Sequence, residues 1–228
     1  MKKSSIVIII IFFLFGILNI IFFYTRIQTG RYLTLPFMMP LLGLLYLRET
    51  KEKKTSRKAL VIAALAFSLG GDILLLFWWN TLIFGLFSFL VTHLIYICIF
   101  ATGKLKEMMT FPKLMGALSV ILYGEVLYLI LYFSPGMAPF MRIPVLIYAS
   151  AFTIGIIAAI SRYRKVNMSS FWILMLGAVL FLISDSIIAI NKFIQPYHWS
   201  FLFILSFYFT GQFFIILGLI KEKNTKTA

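Results

Sequence analysis

The sequence predicts an all-α polytopic membrane protein, a single integral domain forming a bundle of eight transmembrane helices with both termini in the cytoplasm. Three observations carry this. Of 228 residues, 62% are hydrophobic and 12% charged, against roughly 25% charged in soluble domains. The apolar residues gather into eight runs, each near the ~20 residues a helix needs to cross hydrocarbon. The basic residues are distributed unequally over the short separators between those runs.

The runs fall at about 5–24, 32–47, 59–79, 81–100, 113–133, 142–161, 170–190 and 198–220. Each is read as a helix, because an open strand edge has no hydrogen-bond partner in lipid. The first follows Met1-Lys-Lys like a signal sequence, but it is long and has no small-x-small cleavage pattern, so a retained helix is expected. Pro36 and Pro40 in the second run and Pro144 in the sixth remove backbone donors, kinking helices or lining a cavity. Gly70-Gly71 in the third run, and Gly177, Ala178 and Ala189 in the seventh, permit close helix approach. Trp78, Trp79, Trp172 and Trp199 read as interfacial belts.

Alternating ends collect 17 Lys and Arg on the side of the N-terminus and only Arg26, Arg31, Arg142 and Lys192 on the other. The positive-inside rule therefore places both termini in the cytoplasm. The net charge of +14 is a topology signal and a contact for anionic lipid headgroups, not a nucleic-acid signature. Abundant Lys, Ile and Phe fit an AT-rich bacterial genome, and hence the bacterial cytoplasmic membrane.

Against this background two residues stand out. Asp72 and Asp185 are the only aspartates, and both lie inside apolar runs. A carboxylate there costs about 2.5–3.5 kcal/mol on insertion scales, which marks it as functional by default. With the third and seventh helices both running outward, the two lie at matching levels, about 10 Å below the outer boundary. Paired carboxyls in a dry site can hold one proton between them, supplying an acid and a base. Spacing alone does not separate such a hydrolytic pair from the proton relay of a transporter. Arg31, Thr34, Asn80, Tyr148, Ser184 and Lys192 lie in the same outer half, Lys192 seven residues past Asp185 on the same helical face. Glu125, His93, Tyr208 and Gln212 lie nearer mid-depth, and Glu125 shares a face with Tyr128 and Tyr132.

A weak repeat accompanies the pair. Arg31, Asp72 and Ser88-Phe-Leu-Val-Thr92 recur as Arg142, Asp185 and Ser206-Phe-Tyr-Phe-Thr210, at offsets of 111, 113 and 118 residues. Such duplication is familiar from transporters. Two histidines and one cysteine, Cys98, make a His-rich or thiolate metal site and an internal disulfide poor readings. The sequence contains no Gly-x-Ser-x-Gly elbow and no phosphate-cradling glycine loop.

Four stretches together resemble the YhhN-like lysoplasmalogenases. They are Phe67-Ser-Leu-Gly-Gly-Asp-Ile-Leu-Leu-Leu76, Phe84-Gly-Leu-Phe-Ser-Phe-Leu-Val-Thr-His-Leu-Ile-Tyr96, Gly177 to Phe193 with its Ser184-Asp185, and Tyr208-Phe-Thr-Gly-Gln212. They occur in the family's order, and the likeness spans roughly residues 30 to 220. Where the family often has Lys-Pro at the start of the second helix, this chain has Arg31-Tyr-Leu-Thr34, with the proline at Pro36. The resemblance implies hydrolysis of the vinyl-ether bond of a lysoplasmalogen within the bilayer, giving a fatty aldehyde and glycerophospho-ethanolamine or -choline. No cofactor is expected, and a carboxylate-bound Mg²⁺ is left open by the residues. Asp72 and Asp185 would be catalytic, Arg31 and Lys192 would meet the phosphate, and Tyr148, His93, Tyr208 and Gln212 would position the ether and water. A small proton-coupled carrier, or a hydrolase of another ether lipid, are the competing expectations.

Overall fold

In hydrocarbon a backbone must satisfy its own hydrogen bonds, and a helix does so within one segment. The computed structural model describes residues 3–51, 54–77, 82–101 and 110–223, and these form eight α-helices. They are α1 (Lys3–Tyr24), α2 (Gln28–Glu49), α3 (Thr55–Phe77), α4 (Leu82–Phe100), α5 (Phe111–Tyr132), α6 (Pro139–Ser161), α7 (Met168–Phe193) and α8 (Ser200–Ile220). Helix ends and apolar-run ends differ by about a turn or less, because hydropathy marks what lipid can solvate and not where helical hydrogen bonding stops. Asn80, with Trp78, Trp79 and Thr81, lies outside the described residues.

Seven of the eight are long and apolar enough to cross a membrane; α2 is the exception. Its 22 residues would suffice in length, since about 20 residues span 30 Å. Its sequence, however, carries Gln28, Arg31, Thr34, Arg48, Glu49 and two prolines. Packing explains how that composition is tolerated. Met38, Met39, Leu42, Leu45 and Tyr46 are almost completely enclosed, with α1 on one side and α3 on the other.

The chain divides into two compact units, Met1–Ile99 and Phe100–Ala228. In the first, polar locks join α1 to α2. Ser5 Oγ donates to Glu49 at 2.5 Å at one end. At the other, Asn19 Nδ2 donates to Thr34 Oγ1 at 2.8 Å, and Thr34 Oγ1 donates back to the Gly30 carbonyl at 2.9 Å. The turn between them places Arg26 at φ 60°, a left-handed conformation uncommon outside glycine. The α3–α4 pair is held by Ser88 Oγ donating to the Phe67 carbonyl at 2.6 Å and by Ser68 Oγ meeting Thr92 Oγ1 at 3.3 Å.

In the second unit α7 packs along α8 and α6, and α5 packs on α6. The turn after α5 is fastened to the end of α7, where Ser134 Oγ donates to the Phe193 carbonyl. At the opposite end Arg162 and Glu222 form a fully enclosed ion pair at 3.1 Å. There Lys223 N donates to Asn167 Oδ1 at 2.8 Å, and Asn167 N donates to the Lys223 carbonyl at 3.1 Å. Breaking such a buried pair is costly because the survivor is left charged in a dry setting.

Candidate active site

The second unit assembles its site around α7. A β-carbon at Gly177 would lie 2.5 Å from Ile215 N and 2.7 Å from the Gly211 carbonyl of α8. A β-carbon at Gly218 would meet the backbone of Leu174 at 2.8 Å. Glycine at both positions therefore lets the two backbones touch, the small-residue contact that substitutes for a hydrophobic drive in lipid. Ser184 Oγ adds a hydrogen bond to the Ile204 carbonyl at 3.0 Å. The Phe181 ring stands edge-on between Phe152 of α6 at 5.6 Å and Tyr208 of α8 at 5.3 Å. With α7 so clamped, the next position on its α6 side is Asp185.

Tyr148 of α6 donates its phenolic hydrogen to Asp185 Oδ2 at 2.6 Å, the length of a charge-assisted O–H···O bond. One residue on, Ser186 Oγ receives a hydrogen bond from Tyr123 of α5 at 2.8 Å and donates to the Leu182 carbonyl at 2.7 Å. These groups line one partly open cleft between α5, α6 and α7, with Leu127, Phe152 and Leu182 among its apolar walls. Asp185 is the carboxyl among its lining residues, beside the hydroxyls of Tyr123, Tyr148, Thr153 and Ser186.

The other sequence candidates distribute as follows. Glu125 is exposed and opens onto a neighbouring cleft between α5 and α6, beside Ser150 and Thr153. Its expected companions serve α6 instead. Tyr128 Oη donates to the Arg142 carbonyl at 3.3 Å, and the Arg142 guanidinium stacks 4.3 Å above the Tyr132 ring. Lys192 is exposed on the last turn of α7. Tyr208 is 5% exposed and Gln212 wholly enclosed on α8. In the first unit Asp72 and His93 are both buried, and a β-carbon on neighbouring Gly71 would run into the Phe89 ring at 2.5 Å. Arg31 is half-buried, its guanidinium 4.9 Å over the Phe23 ring. Thr34 faces Asn19. Asp72 and Arg31 therefore belong to one compact unit, and Asp185, Tyr148, Tyr208, Gln212 and Lys192 to the other.

Thr34 and Ser184 spend their hydroxyls on helix-to-helix and backbone bonds. Two cleft residues were not singled out by the sequence, Tyr123 and Ser186. Ser186 adjoins the Ser-Asp dipeptide, and a tyrosine at the matching depth of α5 was the available hint for its partner.

These apolar helices define a multi-pass, all-helical membrane protein, and the chain belongs to the YhhN family, whose profile matches residues 30–219. That range holds α3 to α7 whole, all but the ends of α2 and α8, and every candidate residue named above. Among curated proteins it is similar to human lysoplasmalogenase TMEM86B, at 29% identity over 168 residues, which is 74% of this chain. The chain spans 66% of that relative's length, slightly under two thirds. No solved structure matches it.

Proposed function

We propose that this protein is an intramembrane hydrolase that cleaves the vinyl-ether bond of a lysoplasmalogen, releasing a fatty aldehyde and a glycerophospho-alcohol. The observation that carries the reading is the Tyr148–Asp185 hydrogen bond, set in an apolar cleft of a YhhN family member. The name of the human relative supplies the substrate class. We take all eight helices, α2 included, to span the bacterial cytoplasmic membrane with both termini inside; the 17-to-4 distribution of basic residues supports that orientation.

The chemistry follows from the bond. A vinyl ether is opened by placing a proton on its β-carbon, which leaves an oxocarbenium ion with the charge shared between carbon and oxygen. Water adds to that carbon and loses a proton, and the resulting hemiacetal collapses to the aldehyde and the free glycerol hydroxyl. One carboxylic acid and one carboxylate suffice, the same division of labour as in glycoside hydrolysis. Asp72 and Asp185 take those two duties, and Tyr148 orients the Asp185 carboxylate through Oδ2. A lipid already in the bilayer reaches such a site laterally.

The test is incubation of purified protein with a lysoplasmalogen in detergent micelles, followed by measurement of aldehyde release. Activity that disappears in both Asp72→Asn and Asp185→Asn supports the assignment. No aldehyde from any ether lipid, or undiminished release by both variants, overturns it.

A further inference from the structure

On α5, three consecutive residues serve three different surfaces. Tyr123 reaches Ser186 of α7 at 2.8 Å and lines the Asp185 cleft. Glu125, two positions on, is turned by about 200° and opens onto the exposed groove between α5 and α6. Gly124 lies between them and lines both spaces. The arrangement recurs on α6, where Tyr148 meets Asp185, Ser150 lines the groove, and Ala149 and Thr153 line both spaces. A β-carbon at Gly124 would lie 2.8 Å from Thr153 Oγ1. The cleft and the groove thus adjoin along a seam that contains the Thr153 hydroxyl.

Glu125, Ser150 and Thr153 share a second property. Among the described residues, none of the three side chains makes a hydrogen bond or ion pair. A hydroxyl on a helix commonly bonds back to a carbonyl one turn earlier, as Ser119 does to Met115 and Ser186 to Leu182. Ser150 and Thr153 forgo that bond, and a carboxyl inside a membrane helix is expensive without a partner. Three such groups on one open groove call for a partner from outside the protein. Water fits. It donates to a carboxylate, both donates to and accepts from hydroxyls, and takes about two to four polar partners.

We propose that the α5–α6 groove is a water inlet, and that water passes from Glu125 and Ser150 along Thr153 Oγ1 into the Asp185 cleft. This rests on the reading of that cleft as a hydrolytic site. Each vinyl-ether cleavage consumes one water: its oxygen bonds to the oxocarbenium carbon, and one of its protons goes to the carboxylate. A lipid lying against the apolar walls of the cleft shuts out bulk solvent. A side entrance beside the carboxyl supplies the water while the substrate stays in place. Glu125 holds water at the inlet and takes no part in bond making, and Thr153 is a positioning residue.

Cys98 is the single cysteine, so Cys98→Ser gives a blank background for new thiols. Ser150→Cys is compared with Ile147→Cys and Val126→Cys, exposed positions on α6 and α5 that line neither space. The protein is reconstituted in bilayers and treated with a cationic, membrane-impermeant methanethiosulfonate. Because that reagent attacks the thiolate, which forms in water, Ser150→Cys is expected to react about tenfold faster than either control. It should remain the fastest when Glu125→Gln removes the carboxylate's pull on the reagent. Equal rates, or a difference that vanishes with Glu125→Gln, overturn the inlet. In the aldehyde assay Thr153→Val is expected to lower kcat severalfold at constant KM, and Thr153→Ser, which restores the hydroxyl, to recover it. An unchanged kcat in Thr153→Val overturns the passage through the seam. If the protein hydrolyses no ether lipid, the proposed activity fails and the labelling rates alone decide the inlet.

Discussion

The Tyr148 phenol donates to Asp185 Oδ2 at 2.6 Å across the α6–α7 contact. One carboxylate oxygen is thereby committed and the side chain is aimed. Removing the donor leaves an intramembrane carboxyl with one hydrogen bond fewer, which costs about 1–3 kcal/mol when the acceptor stays buried. Tyr148→Phe is therefore expected to lower the unfolding temperature in detergent and to reduce kcat by about ten- to a hundredfold. Measuring thermal unfolding together with aldehyde release checks both, and an unaltered kcat would remove Tyr148 from the site.

For Asp185→Asn the expectation is a loss of activity without the loss of stability. The amide still accepts from Tyr148, so the fold holds while proton transfer is lost. General acid–base catalysis contributes about a hundred- to ten-thousandfold, and single-turnover kinetics should show a loss of that size in each of Asp185→Asn and Asp72→Asn.

Gly177 reports on the clamp that holds α7. A β-carbon there would press on the α8 backbone at Ile215 N and on the Gly211 carbonyl, atoms that no rotamer change can move aside. Overpacking of this kind costs about 1–3 kcal/mol. Gly177→Val should lower thermal stability and, by displacing Asp185, lower activity with it. Normal stability would mean that α7 and α8 can slide apart freely.

Thr34 and Ser184 were sequence candidates for substrate contact, yet their hydroxyls bond Asn19 and Gly30, and the Ile204 carbonyl, respectively. Thr34→Val and Ser184→Ala should each cost about 1 kcal/mol of stability, the net worth of an ordinary hydrogen bond. KM for the lipid should stay nearly constant. A large KM change with no loss of stability would return either residue to the binding site.

The enclosed Arg162–Glu222 pair offers a stability test far from the chemistry. Arg162→Ala or Glu222→Ala should each cost about 3–5 kcal/mol, because each strands a buried charge. Joint replacement by apolar residues should cost much less than the two singles together. Additive losses in a double-mutant cycle would mean that the two side chains do not depend on each other.

Much of the fold was legible because a membrane restricts the choices. Once a run is apolar and about 20 residues long, it is a helix, and the described residues form eight helices. Asp185 was legible for the same reason: in an apolar run it is the expensive residue. Glu125 was expensive by the same rule, yet it lies exposed beside a different cleft, with Tyr128 and Tyr132 turned toward Arg142. Sharing a helical face with two tyrosines did not decide whom the tyrosines would meet.

The sequence by itself determined the helices, the unequal distribution of basic residues and the presence of two carboxyls at unfavourable positions, because hydropathy and charge are properties of each segment alone. Only the tertiary structure decided that Tyr148 holds Asp185 and that Thr34 and Ser184 are helix locks. Those pairings depend on the register between helices, and one residue of slip turns a side chain by about 100°. That register is set by glycine contacts such as Gly177 against Ile215, which no single segment specifies.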